Sequence, residues 1–269
     1  VKIRAYFSLI VAEGGYAFLN KAGKAVFKFL NRFFKQIETM VLVNSKSNGV
    51  CCDHASTDTE TIGDAHVATS VDTPLRADAF DLSDEEKIRK IEGHFRSIMD
   101  VLGLDLRDDS LQGTPKRVAK MFVQEIFSGL NPSGKPDVSL FDNKFGYKQM
   151  LVEKNIRVQS FCEHHFLPIY GKAHVAYIAK DKVIGLSKLN RIVEYFAHRP
   201  QVQERLTMQI ANELSEVLQT EDVAVYIEAF HMCVQARGIE HQESTTVTSE
   251  YRGAFLDPDT RHEFLQAIR

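Results

Sequence analysis

From about residue 82 onward, the spacing of apolar residues switches between helical and extended in pairs, and this ordering restricts the available folds more than any other feature of the chain. Ser83 followed by Glu86 forms a capping box, and Ile88, Ile91, Phe95, Ile98 and Leu102 step by three and four until Gly103. Thr114 and Pro115 open a second helix as N-cap and N1, with Val118, Phe122 and Ile126 inward and an end at Gly129. A loop rich in Gly, Pro and Asp over 131–146 leads to two strands, about 155–160 and 171–179, joined by FCEHHFLPIY. Two helices follow. One starts near Ser187 with Leu189, Ile192, Val193 and Phe196 inward, and the other buries Val202, Leu206, Ile210, Leu214 and Val217. A strand from Val223 alternates Val225, Ile227 and Ala229 on one face, TTVTSE makes a further strand, and a short helix covers 258–268. Strands that come in pairs rather than in βαβ alternation predict an α+β domain with an antiparallel sheet and flanking helices.

The stretch before that domain has a different character. Residues 1–39 hold seven basic residues against Glu13 and Glu38, a net of +5, so the rest of the chain carries -8 of the overall -3. Val26, Phe29, Leu30, Phe33, Ile37 and Met40 share one helical face, with Lys24, Lys28, Arg32 and Lys35 on another. Residues 1–43 therefore read as a basic amphipathic extension, a membrane-surface anchor or a targeting segment. Because the first methionine is Met40, upstream sequence translated in error is an equal reading of 1–39. Residues 44–81, rich in Ser, Thr, Asp and Ala, read as a flexible leader in which Cys51 and Cys52 are unremarkable exposed thiols. The domain proper spans 82–269. A net charge of -3 excludes a protein built to coat nucleic acid, and no apolar run is long enough for a membrane span. Four cysteines in 269 residues make no disulfide scaffold and point to a reducing compartment, the cytoplasm.

Two short motifs carry chemistry. Cys162 and His165 are spaced CxxH, so one ion can take both from a single turn, and HMC places His231 and Cys233 on one face of a strand. Cys162, His165 and Cys233 form a Cys2His set that suits zinc with a fourth position open to water. Adjacent side chains in turn or extended backbone point apart, so His164 is expected not to bind the same ion and to serve in proton transfer. Two alternatives stay open on spacing alone: His231 closing a structural zinc site as a fourth ligand, or a metal-free thiol nucleophile with a histidine base. Arg117, Lys188, Arg191 and Arg237 are candidates for a phosphate clamp, helped by helix N-termini at Ser187 and near Arg117. Glu204 is either an exposed helical acid or a reader of guanine, since a carboxylate accepts from two neighbouring N–H groups of a purine edge.

Taken together, FCEHHFLPIYGKAHVAYI, VIGLSKLNRIVEYFAHRPQVQERLT and FHMCVQARGI closely resemble the GTP cyclohydrolase I family, with DDSLQGTPKRVAKMF and TRHEFLQAIR extending the likeness over the whole domain. The resemblance implies the tunnelling fold (T-fold), in which protomers join their sheets into a ring, and a homodecamer of two stacked pentamers. It implies Zn2+ held by Cys162, His165 and Cys233, with His164 and His231 as acid/base residues. It implies that Glu204 holds the guanine edge with Gln203 near the base, while Ser187, Lys188, Arg191, Arg237 and Arg117 line the ribose and triphosphate end. The implied reaction is hydrolytic opening of GTP at C8, release of formate and rearrangement to 7,8-dihydroneopterin triphosphate, which opens folate and pterin biosynthesis. The competing expectations are another pterin or deazapurine enzyme of the same fold, and a zinc-stabilised nucleotide-binding or assembly protein without turnover.

Overall fold

The computed structural model describes residues 70–269. The basic helix expected within 1–43, most of the leader, and Cys51 and Cys52 lie outside the described residues. Helix α1 (Asp84–Val101) begins at the expected box: Ser83 accepts from the Glu86 N–H while Glu86 reaches back to the Ser83 N–H. Its apolar stripe is less covered than the spacing implies. Met99 is buried, whereas Ile98, Val101 and Leu102 are half to mostly exposed. Helix α2 (Thr114–Met121) has Gly113 rather than Thr114 at its N-cap, with Thr114 and Pro115 inside the first turn. It runs on through a π-helical turn (Phe122–Ile126) and a 3-10 turn (Ser128–Leu130).

The sheet has five strands in the order β5-β2-β3-β6-β7. Strands β2 (Met150–Cys162), β3 (Pro168–Ile178), β6 (Val223–His231) and β7 (Thr246–Tyr251) pair antiparallel, and the two-residue β5 (Pro200–Gln201) runs parallel to the end of β2. A separate ribbon pairs β1 (Leu140–Asp142), inside the 131–146 stretch that the spacing reads as loop, with β4 (Lys182–Ile184). Strand β2 is about twice as long as expected because it contains a bulge. The register slips between Glu153 and Ile156, where Asn155 takes a left-handed φ of 61° and donates its N–H to Nδ1 of His174. Before the bulge odd-numbered Leu151 faces the main core; after it even-numbered Ile156 and Val158 do. The extra residue thus resets a strict two-residue alternation that would have turned half the strand outward.

Helices α3 (Leu186–Ala197) and α4 (Gln203–Leu218) cover one face of the sheet. Leu189, Ile192, Val193, Leu206, Ile210 and Leu214 meet Val175, Tyr177, Val225 and Ile227 there, all buried. Each such side chain contributes about 1.5–3 kcal/mol of burial. The far end of the opposite face is capped by Phe255 and by Phe264 of α6 (Pro258–Ala267), packed on Ala176 and Ala224. Among the described residues no helix is long and apolar enough to cross a membrane.

Candidate active site

Strand β2 ends on Cys162 and the chain reverses at once into β3. Two backbone bonds close the turn, Phe166 N–H to Cys162 O (2.8 Å) and Cys162 N–H to Leu167 O (2.9 Å). Phe166 pays for this reversal with a φ of 53°, a conformation costing a bulky residue about 1–3 kcal/mol. Its ring offsets that cost by packing on Phe127 (centroids 5.1 Å) and Phe122 (6.3 Å), and Phe127 in turn meets Phe161 at 5.7 Å. An apolar cavity of about 500 Å³ lies behind these rings, sharing only Phe166 with the CEHH run.

The second motif arrives on β6, whose last residue, His231, pairs with Ile169 of β3. The two residues His231 and Cys233 do not share a strand face. The strand stops at His231, and Cys233 sits on a single helical turn, α5 (Met232–Gln235), which swings its sulfur toward Cys162. Ligand atoms of Cys162, His165 and Cys233 all lie within 4.8 Å of one another. The Cys162 Sγ to His165 Nδ1 distance is 3.7 Å. Zinc with its usual bond lengths places tetrahedral S and N donors about 3.5–3.8 Å apart, so this donor set fits that ion. Burial, and then the neighbouring Cys162 thiol, push the Cys233 thiol up from its ordinary value. A cation between the two sulfurs acts in the opposite sense.

His231 is turned elsewhere. Its Nε2 lies 2.8 Å from Oε1 of Gln203, the first residue of α4. Gln203 is buried, and its amide nitrogen faces the carbonyls of Ile227 (3.2 Å) and Thr246 (2.9 Å) and Oγ1 of Thr248 (3.1 Å). Burial holds the His231 imidazole below the ordinary histidine value, with Glu204 acting weakly against it. Glu204 is exposed on the same helical turn. His164 is exposed beside the cluster, its Nδ1 3.6 Å from Cys162 Sγ and its Nε2 3.8 Å from Glu163. Arg237 Nη1 reaches Nε2 of His165 at 2.8 Å.

The sequence model of a family described as GTP cyclohydrolase I matches residues 91–269. The chain belongs to the GTP cyclohydrolase I family. It is 62% identical over 208 residues to GTP cyclohydrolase 1 of Flavobacterium johnsoniae, covering 77% of this chain and 93% of that protein. It is also similar to GTP cyclohydrolase 1 of Aeromonas salmonicida, at 54% over 203 residues (75% and 92% of the two chains), and of Escherichia coli, at 51% over 209 residues (77% and 94%). The chain is thus an enzyme of the GTP cyclohydrolase I type.

The fold distributes the expected site residues over three places. Cys162, His164, His165, Glu204, His231, Cys233 and Arg237 gather where β2, β6 and α4 meet. Ser187, Lys188 and Arg191 occupy the start of α3, whose Asn190 bonds Glu153 near the beginning of β2 (3.1 Å), while the end of α3 leads into β5 beside Phe161. Glu153 lies nine residues before Cys162 on β2, about 25–30 Å along the strand, so this end of α3 is far from the thiols. Arg117 is exposed on α2 and donates to Ser110 O and Thr114 Oγ1, both at 3.1 Å. Arg205 and Glu163 lie against this cluster. Arg205 is buried and donates to both Glu163 oxygens, at 2.6 and 3.3 Å. Nothing in QERL marks Arg205 as buried, although its partner Glu163 stands within the CEHH run.

Proposed function

We propose that the chain opens the imidazole ring of GTP at C8 and converts it, with release of formate, to 7,8-dihydroneopterin triphosphate. The observation that carries this reading is the meeting of Cys162, His165 and Cys233 within 4.8 Å in a chain of this family. These three would hold a zinc ion, which when bound supplies a Lewis acid and lowers the pKa of water to ~7. His231 turns its Nε2 to Gln203 and leaves Nδ1 to the site, where it would take up a proton and then pass it to N7 of the purine, which makes C8 electrophilic. His164, exposed at the mouth, assists the proton movements of ribose opening. Glu204 accepts from the guanine N1–H and 2-amino group through its two carboxylate oxygens. Arg237 approaches from the thiol side, while Ser187, Lys188, Arg191 and Arg117 bind the triphosphate.

Because the start of α3, with Ser187, Lys188 and Arg191, sits beside Glu153 at the end of β2 remote from Cys162, a complete site draws them from a neighbouring copy. This supports self-association in a ring of the tunnelling-fold type, with a homodecamer of two pentamers as the assembly. The outward Ile98, Val101 and Leu102 of α1 give such an assembly apolar surface to cover. The catalytic domain begins near Leu82, and its two thiols suit the reducing cytoplasm. The test is incubation of the purified protein with GTP before and after zinc removal by a chelator. Formate and pterin absorbance that vanish on chelation and return with zinc support the reading. GTP left intact by folded, zinc-loaded protein overturns it.

A further inference from the structure

We infer that the first turn of α4 is the common mount of both halves of the catalytic centre, with Gln203 and Arg205 as positioning residues on either side of Glu204. Gln203 works through His231. Carbonyl oxygens only accept, so the two that face its amide, on Ile227 and Thr246, fix the nitrogen end toward β6 and β7. Oε1 is then compelled to face His231, and the 2.8 Å contact is a bond donated by His231 Nε2–H. In the neutral ring this leaves the Nδ1 lone pair toward the site. Gln203, 2% exposed and with every polar atom of its amide engaged inside the protein, is a support for the imidazole rather than a contact to the base.

Arg205 works through Glu163. Its side chain is 2% exposed and grips both carboxylate oxygens of the residue that lies between Cys162 and His164. A third guanidinium donor, Nε, is taken by the Ser70 carbonyl at 2.8 Å, and the Glu163 N–H bonds the Gln201 carbonyl at 3.0 Å. The CEHH turn is therefore fixed to α4 through the Arg205 side chain, and through the main chain to β5, which leads directly into that helix. Residues 203 and 205 lie on different faces of one helical turn, so any shift of that turn moves His231 and the thiol-bearing loop together while Glu204 keeps its place between them. Outer partners of metal ligands and of acid/base groups set orientation in this way.

This inference rests on the proposed function for the roles of the two histidines, and its test separates the two. In zinc-loaded protein labelled with 15N-histidine, His231, assigned by its loss in His231→Gln, is expected to carry its proton on Nε2, and Gln203→Met is expected to abolish that preference. In kinetics Gln203→Met is expected to lower kcat by ~10²-fold, the cost of a misplaced reacting group, with little change in KM for GTP. For the other half, Glu163→Gln and Arg205→Lys are expected to weaken zinc binding ~10- to 100-fold in competition with a chromogenic chelator. Should Arg205→Lys fail to fold, the Glu163→Gln measurement decides that half alone. A His231 proton on Nδ1, a Gln203→Met enzyme altered in KM alone, or zinc affinity unmoved in Glu163→Gln overturns the inference. The resonance and zinc measurements need no turnover, so absence of formate from GTP counts against the function and not against the mount.

Discussion

Cys162 and Cys233 are the residues whose loss is expected to remove metal binding and turnover together, whereas loss of His164 or His231 is expected to separate them. Cys233→Ser is expected to lose zinc and activity together, since two donors remain of three. His164→Ala or His231→Ala is expected to retain zinc and lose ~10²- to 10⁴-fold in kcat, which metal analysis and steady-state kinetics on the same sample would check. Unaltered kcat in either variant would remove it from the acid/base roles. Much of this was legible in the residues: CxxH and HMC mark Cys162, His165 and Cys233, which the fold brings together, while spacing alone leaves His231 open as a fourth ligand and the fold turns its Nε2 to Gln203. The misreading of His231 and Cys233 as sharing a strand face has a local cause. Strand β6 terminates at His231, and nothing in FHMCVQARG signals a single helical turn there. Gln203 and Arg205 were obscure for another reason. Polar side chains one residue to either side of an exposed Glu204 look equally solvated, and only the packing of α4 on the sheet buries them.

Elements follow periodicity wherever one face is buried and depart from it where the backbone breaks step. The Asn155 bulge in β2 is such a break. Asn tolerates the left-handed conformation, so Asn155→Gly is expected to keep stability near that of the parent and Asn155→Ala to lose about 1 kcal/mol or more, readable in chemical denaturation. Equal stability of the two would mean the bulge is not strained at this position. His174, across from the bulge, and His198, at the end of α3 with Nδ1 3.2 Å from Ser128 Oγ, are both held below the ordinary 6.5, chiefly by burial. A depressed histidine pKa means that the unfolded chain takes up the proton first. The stability these neutral rings confer is present above pH ~6.5 and is lost as pH falls below that value toward their lower folded-state values. Denaturation midpoints at pH 7.5 and 5.5 are expected to fall on acidification, and less steeply in His198→Asn. An identical slope in that variant would remove His198 from the acid sensitivity.

For the whole molecule, the decisive feature is that the chain holds Ser187, Lys188 and Arg191 beside one end of β2 and Cys162 at the other. The sequence pattern supplied the α+β order and the likeness of motifs. It was silent on this separation, because the distance between Lys188 and Cys162 depends on α3 lying along β2 rather than across it. If copies complete each other's sites, rings assembled from a mixture of Lys188→Ala and His231→Ala subunits regain activity that neither variant shows alone. A mixture as inactive as its parts would confine the site to one chain. The charged side chain of Lys188 is also expected to make GTP binding salt-dependent, and Lys188→Ala to flatten that dependence.

The most direct measurement is the fate of C8 itself, followed by NMR with GTP labelled there with 13C and with zinc-loaded protein. The label is expected to leave quantitatively as formate with the parent protein and to stay in intact GTP with Cys233→Ser. Label retained in a purine ring by the zinc-loaded parent would contradict the assignment of this Cys162, His165 and Cys233 centre to the opening of GTP.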